Sequence, residues 1–97
     1  MALTTTIQEI PELGERGPGL GGDDYIVIVY NNDHNTYSEV IGILMRATGC
    51  SLEEAQMETW EIDHLGKSVV HHSTQEECEN VAAIIRTIGI QVDVRED

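Results

Sequence analysis

The chain is poor in most of the residues that would announce an activity. It has no Phe, one Trp and three Tyr among 97 residues, so a core must be built from Ile, Val, Leu and Ala. Lys and Arg total 5 against 18 Asp and Glu, a net charge of −13. That shortage of cations excludes nucleic acid and anionic lipid as partners, because phosphate binding needs clustered Lys and Arg. Two cysteines, Cys50 and Cys78, are too few for a disulfide scaffold and are expected as reduced thiols. No apolar run approaches the ~20 residues of a membrane span, and the first residues lack the basic-then-apolar layout of a signal peptide. A Gly-rich phosphate loop, a nucleophile elbow and a kinase-type motif are all missing. These absences point to a cytoplasmic, monomeric, non-enzymatic domain that needs no cofactor.

The pattern that is present divides the chain near residue 23. Residues 1–23 hold both prolines, with Gly14, Gly17, Gly19, Gly21 and Gly22 crowded around Pro18, which is the chemistry of a flexible extension. A single domain is expected over 24–97. It opens on Tyr25–Tyr30, an unbroken β-branched and aromatic run that predicts a central strand. Asn31–Asn35 ends the run with residues that favour turns and caps. Val40, Ile41, Leu44 and Met45 then recur at helical spacing up to Gly49. Ser51 and Glu54 form a capping-box pattern, opening a second helix whose stripe is Leu52, Ala55, Thr59 and Ile62, with Gly66 as its stop. Lys67–His71 reads as a short strand. Ser73 and Glu76 repeat the capping-box pattern before a third helix, with Val81, Ile84, Ile85 and Ile88 inward and Gly89 at its end. Ile90, Val92 and Val94 alternate with polar residues as a half-exposed strand. The order is β-α-α-β-α-β, an α+β fold in which three helices cover one face of a three-stranded sheet, with the first strand between the other two.

The Asn31–Asn35 cluster supports two readings. One is an Asx-rich connection that caps the next helix. The other begins with what the cluster offers, an Asn amide, an Asp carboxylate and exposed carbonyls, acceptors that suit an ammonium group rather than a phosphate. Beside it the first helix supplies Tyr37 and Val40, and the second supplies Thr59 and Ile62. An apolar pocket rimmed by ammonium acceptors is the chemistry for holding a peptide's amino terminus and its first hydrophobic side chain. His71 and His72, adjacent on a strand, point to opposite faces and do not ligate one metal. His34 and His64 lie at element ends, where a metal-binding domain or enzyme built on them with nearby carboxylates is an alternative, although structural metal sites ask for three or four ligands.

The runs Val27–Thr36, Val40–Met45, Glu54-Ala55 and Ile62–Lys67 together resemble the ClpS family, adaptor proteins of the ATP-dependent Clp protease in bacteria and plastids. The resemblance extends from about Tyr25 to Glu79 and more loosely to the end of the chain. It implies the β-α-α-β-α-β fold with an antiparallel sheet, shared with the C-terminal domain of the ribosomal stalk protein. It also implies binding of N-degron substrates, whose first residue is a large hydrophobic one, and their delivery to an AAA+ unfoldase, ClpA or ClpC. The family's ammonium-binding Asn and Asp fall on Asn31 and Asp33. Its pocket walls fall on Tyr37, Val40, Thr59 and Ile62, with Tyr37 at a gatekeeping position. Asp63 stands where the family has a His, three residues before the Gly, and His64, one residue later, is its alternative. Asn32 replaces a family Asp. The family's extension, which engages the unfoldase, matches 1–23, and docking to the unfoldase implicates Glu76 and Glu79 at the start of the third helix. A ClpS-fold interaction domain that does not read N-termini is the other alternative.

Overall fold

A computed structural model describes residues 24–97; the expected extension, 1–23, lies outside the described residues. Six elements follow in order: β1 (Tyr25–Tyr30), α1 (Tyr37–Thr48), α2 (Leu52–Leu65), β2 (Lys67–Ser73), α3 (Gln75–Arg86) and β3 (Val92–Glu96). The sheet order is β2-β1-β3, and β1 runs antiparallel to both neighbours. A strand with hydrogen-bonding partners on both edges must tolerate burial along its length. The Tyr25–Tyr30 run meets that demand, with Val27, Ile28 and Val29 all buried.

Val27 and Val29 face the helices and join Val40, Ile43, Leu44, Ala55, Ile62, Val81, Ala82 and Ile85 in one cluster. On α1 the inward residues are Val40, Ile43 and Leu44, while Ile41 is half-buried and Met45 lies at the surface. The expected stripe is therefore rotated by part of a turn, because aliphatic residues on both sides of Gly42 offer two overlapping helical spacings. On α2 the inward residues are Ala55, Thr59 and Ile62; Leu52, in the first turn, is half exposed.

The ends of the helices differ in detail from expectation. Thr36 caps α1 with a complete capping box, its hydroxyl accepting from Glu39 N–H while the Glu39 side chain accepts from Thr36 N–H. The Asx cluster therefore precedes the cap instead of supplying it. Ser51 caps α2 by accepting from Glu54 N–H, and only this arm of its box is formed. Thr74, not Ser73, caps α3, accepting from Glu77 N–H, because β2 runs on to Ser73 and holds that residue in the sheet. Regular α3 ends at Arg86. The next three amides bond three residues back, to Ile84, Ile85 and Arg86, and the tightened turn closes on Gly89 at φ 83°. Register slips between Val27 and Ile28, which pair with His71 and Val69 and leave Val70 as the extra residue of a bulge. His71 is half-buried with Nε2 3.5 Å from Glu77 Oε2, whereas His72 is exposed and bonds to Asp97, so the two do face apart.

One acid of α2 is partly withdrawn from solvent. Glu58 is half-buried, and its Oε1 is buried without a hydrogen-bond partner. Burial, then the charges of Glu54 and Glu61, push its carboxyl up to about 7. Glu61 is itself held by the buried Ser68, whose hydroxyl donates to Oε1 at 2.6 Å. The folded state keeps the Glu58 proton more tightly than the unfolded chain does. Stability therefore falls as pH rises from the ordinary Glu range through about 7. Glu58→Gln removes that loss. Because solvent screens a half-buried carboxyl, the gain at pH 8 is expected on the order of 1 kcal/mol, shrinking toward nothing near pH 4. Urea melts of both proteins at the two pH values test this, and equal stability at pH 8 contradicts it.

Candidate functional site

The loop after β1 is tied down at both ends and through Asn32 and Asn35. Tyr30 N–H donates to Gln91 O and Asn31 N–H to Gly66 O, both at 3.0 Å, so the end of the central strand is pinned between the end of α2 and the approach to β3. Asn32 Oδ1 accepts from the His34 and Asn35 amides at 3.2 and 3.1 Å, an Asx-type turn. Asn32 Nδ2 donates to Asn35 Oδ1 at 2.7 Å, and Asn35 Nδ2 reaches Ile88 O at 2.8 Å and Glu39 Oε1 at 3.2 Å. The Glu39 carboxyl is held below the ordinary Glu range by the Thr36 amide first and the Asn35 side chain second, against some desolvation.

This anchored loop forms one wall of an open cleft between α1 and α2, about 330 Å³ including its mouth. Val40, Ile62 and Ile90, all buried, supply its apolar lining. Thr59 also lines it, but its hydroxyl donates to the Ala55 carbonyl of its own helix at 2.7 Å and is committed there. Asn31, Asn32, Asn35, Thr36, Tyr37 and Asp63 bring the polar groups. Tyr37 O–H donates to Asp63 Oδ2 at 3.0 Å, a bond from the first residue of α1 to the last turn of α2. Desolvation first, then the bond to Asp63 and its charge, raise the Tyr37 phenol above its ordinary value, so it remains a donor. Acceptors and one carboxylate beside an apolar lining suit a small cation that carries both N–H donors and a hydrophobic group.

Of the residues singled out from sequence, Asn31, Tyr37, Val40, Thr59, Ile62 and Asp63 meet in this cleft. Asp33 is an exposed loop residue outside the lining. His64 is outside as well. It follows Asp63 by one residue, about 100° around the helix, and its ring stacks on exposed Trp60 with centroids 4.3 Å apart and planes inclined by 15°. Its Nδ1 lies 3.0 Å from Trp60 O and 3.6 Å from Asp63 Oδ2. Glu76 and Glu79 are exposed on α3, an element that contributes nothing to the lining. Asn32 and Asn35 line the cleft as members of the Asn31–Asn35 cluster, while Thr36 and Ile90 were not expected there. The Thr36-x-x-Glu39 spacing is itself a capping-box signature, and the alternation through Ile90 placed that side chain inward, so both carried a usable signal. Among the described residues no group of three or more His, Cys, Asp or Glu could hold a metal, and no helix is long and apolar enough to cross a membrane. His34 is exposed in the loop, so nothing assembles a ligand set around it and His64.

Comparison with known proteins follows the same lines. The profile of the ClpS family, described as ATP-dependent Clp protease adaptor protein ClpS, matches residues 22–92. The human E3 ubiquitin-protein ligase UBR1 is 33% identical over 63 residues, 65% of this chain, and the Drosophila melanogaster UBR1 is 30% identical over 69 residues, 71% of it. The chain spans only about 4% of the length of those ligases. The structure of Agrobacterium tumefaciens ClpS2 bound to L-phenylalaninamide has a similar fold, with a TM-score of 0.71 and 16% identity over 75% of this chain and 95% of that one.

Thr36 joins the capping of α1 to the cleft wall. Thr36→Ala is expected to lower the stability of the domain by about 1 kcal/mol through loss of the cap. Urea denaturation reads this directly, and an unchanged midpoint contradicts a stabilising role for the cap.

Proposed function

Because this chain belongs to the ClpS family of ATP-dependent Clp protease adaptors, we propose that it captures proteins by a free amino terminus with a hydrophobic first residue and delivers them to a Clp AAA+ unfoldase of the ClpA or ClpC type. The observation that carries this reading is the cleft, which sets Asn31 and Asp63 beside an apolar lining of Val40, Ile62 and Ile90. An α-ammonium satisfies the acceptors, and the first side chain occupies the apolar space next to it. L-Phenylalaninamide, the compound bound to the ClpS2 of similar fold, has this combination of a free amine and an apolar side chain. Asp63 supplies a full negative charge, so attraction to the ammonium does not require a neutral imidazole at that place. Asp33, outside the lining, contributes to the local field rather than by contact.

The rest of the molecule suits an adaptor. Residues 24–97 carry −10 (14 acids, 4 bases), which leaves the surface soluble and disposed toward basic partners. Glu76 and Glu79, exposed on α3 and outside the cleft lining, are assigned to docking on an unfoldase while a substrate is held. No step of the proposal makes or breaks a covalent bond. The chain works as a monomer in the cytoplasm, and residues 1–23 are assigned to the hand-off.

Fluorescence anisotropy with Leu-, Phe- and Met-initiated peptides, each beside its N-acetylated form, tests the reading. The free-amine peptides are expected to bind and the acetylated ones to lose at least tenfold in affinity. Asp63→Asn is expected to weaken the free-amine peptides about tenfold or more, as removal of a charge-assisted hydrogen bond does. Equal binding of the acetylated controls sinks the proposal. Retention of an unfoldase in pull-down with no peptide affinity would favour the interaction-domain alternative.

A further inference from the structure

An α-ammonium has three N–H donors, and taking it out of water calls for three acceptors. Most polar groups of the cleft are already engaged within the protein. Asn32 Oδ1 accepts two backbone amides, Asn35 Oδ1 accepts from Asn32, Thr36 Oγ1 accepts from Glu39 N–H, and Thr59 donates to Ala55. Among the described residues, the lining side-chain oxygens that accept no hydrogen bond are those of Asn31, Asp63 Oδ1, Tyr37 and Thr59; Thr59 is buried, while the other three residues are exposed. With Asp33 outside the lining, Asn31 and Asp63 take two N–H groups of the ammonium, and the third falls to another lining oxygen or to water.

Tyr37 has the chemistry to fill that place. A phenol has one proton and can also accept. Here the proton is given to Asp63 Oδ2 at 3.0 Å, so toward any other group the oxygen is an acceptor only. Donating to a carboxylate also draws electron density onto the phenolic oxygen and makes it a better acceptor, as chained hydrogen bonds do. The same bond fixes the Asp63 carboxylate, turning Oδ2 to the phenol and leaving Oδ1 for the ligand. We propose that Tyr37 is the third ammonium acceptor of the cleft, and that its hydroxyl, with Asn31 and Asp63, makes the site selective for a primary over a secondary amino terminus. This rests on the reading of the cleft as a receptor for amino termini. The raised phenol is consistent with it, since the hydroxyl keeps its proton and the Asp63 bond through the pH range in which an α-amino group is charged.

The test pairs two peptides that differ only by an N-methyl group on their first Leu, measured against the full chain and its Tyr37→Phe variant. Tyr37 is exposed at the start of α1 and keeps its ring in the variant, so folding is not at issue. The parent is expected to prefer the primary amine by about tenfold or more, the worth of one charge-assisted hydrogen bond. In Tyr37→Phe that preference is expected to collapse toward one, because two acceptors are satisfied equally by a secondary ammonium, and the primary amine alone loses about tenfold. A loss shared equally by both peptides, with the preference intact, would show that Tyr37 only orients Asp63 and overturns the assignment. A variant that binds both peptides as the parent does overturns it too. If the parent binds neither better than an acetylated control, the reading of the cleft fails and this assignment with it.

Discussion

The structure depends on β1 having a neighbour on each side. A three-stranded sheet of order β2-β1-β3 sends both later strands back to the first, and the chain after β1 must leave between the ends of its two neighbours. The hydrogen bonds from Tyr30 to Gln91 and from Asn31 to Gly66 are where this constraint becomes local. They set the Asn31–Asn35 loop against the last turn of α2 on one side and the turn after α3 on the other. A loop held in this way loses little entropy when it receives a ligand, because its backbone was ordered in folding. The cleft is thus a product of topology before it is a product of side chains.

Much of this could be read from residue types, and the failures share one cause. Helices and strands declared themselves through period and caps, so Tyr25–Tyr30, Ser51, Gly66 and the alternation of Val92 and Val94 placed the elements in the right order. The errors were of phase. The stripe expected on α1 omits Ile43, which is buried between Gly42 and Leu44, and the cap expected at Ser73 falls inside β2. One residue along α2 likewise separates Asp63, which lines the cleft, from its alternative His64, whose ring stacks on Trp60. Local patterns specify which elements form, but a rotation of 100° per residue makes any small slip decisive for which side chain reaches the site.

The cleft residues divide along a different line. Val40 and Ile62 were legible because apolar side chains at helical spacing point inward whatever they line. Asn35 differs, since its bond to Ile88 O, 53 residues further on, is hidden by sequence separation, whereas the partners of Asn32 and Thr36 are local. Family membership, which residues 22–92 establish, points to adaptor chemistry but says little about a cleft with Asp63 at its mouth. The acceptor inventory of this particular chain has to be taken from its own hydrogen bonds.

The stack of Trp60 on His64 also equips the molecule with an optical signal. Trp60 is the only indole in the sequence, half exposed, next to Thr59 and three residues before Asp63 on the helix that borders the cleft. Its emission carries no background from any other tryptophan. Any event that moves the imidazole off the indole, or charges it, alters the surroundings of that one fluorophore. The domain therefore holds a native reporter of the exposed face of α2, readable in the unlabelled protein.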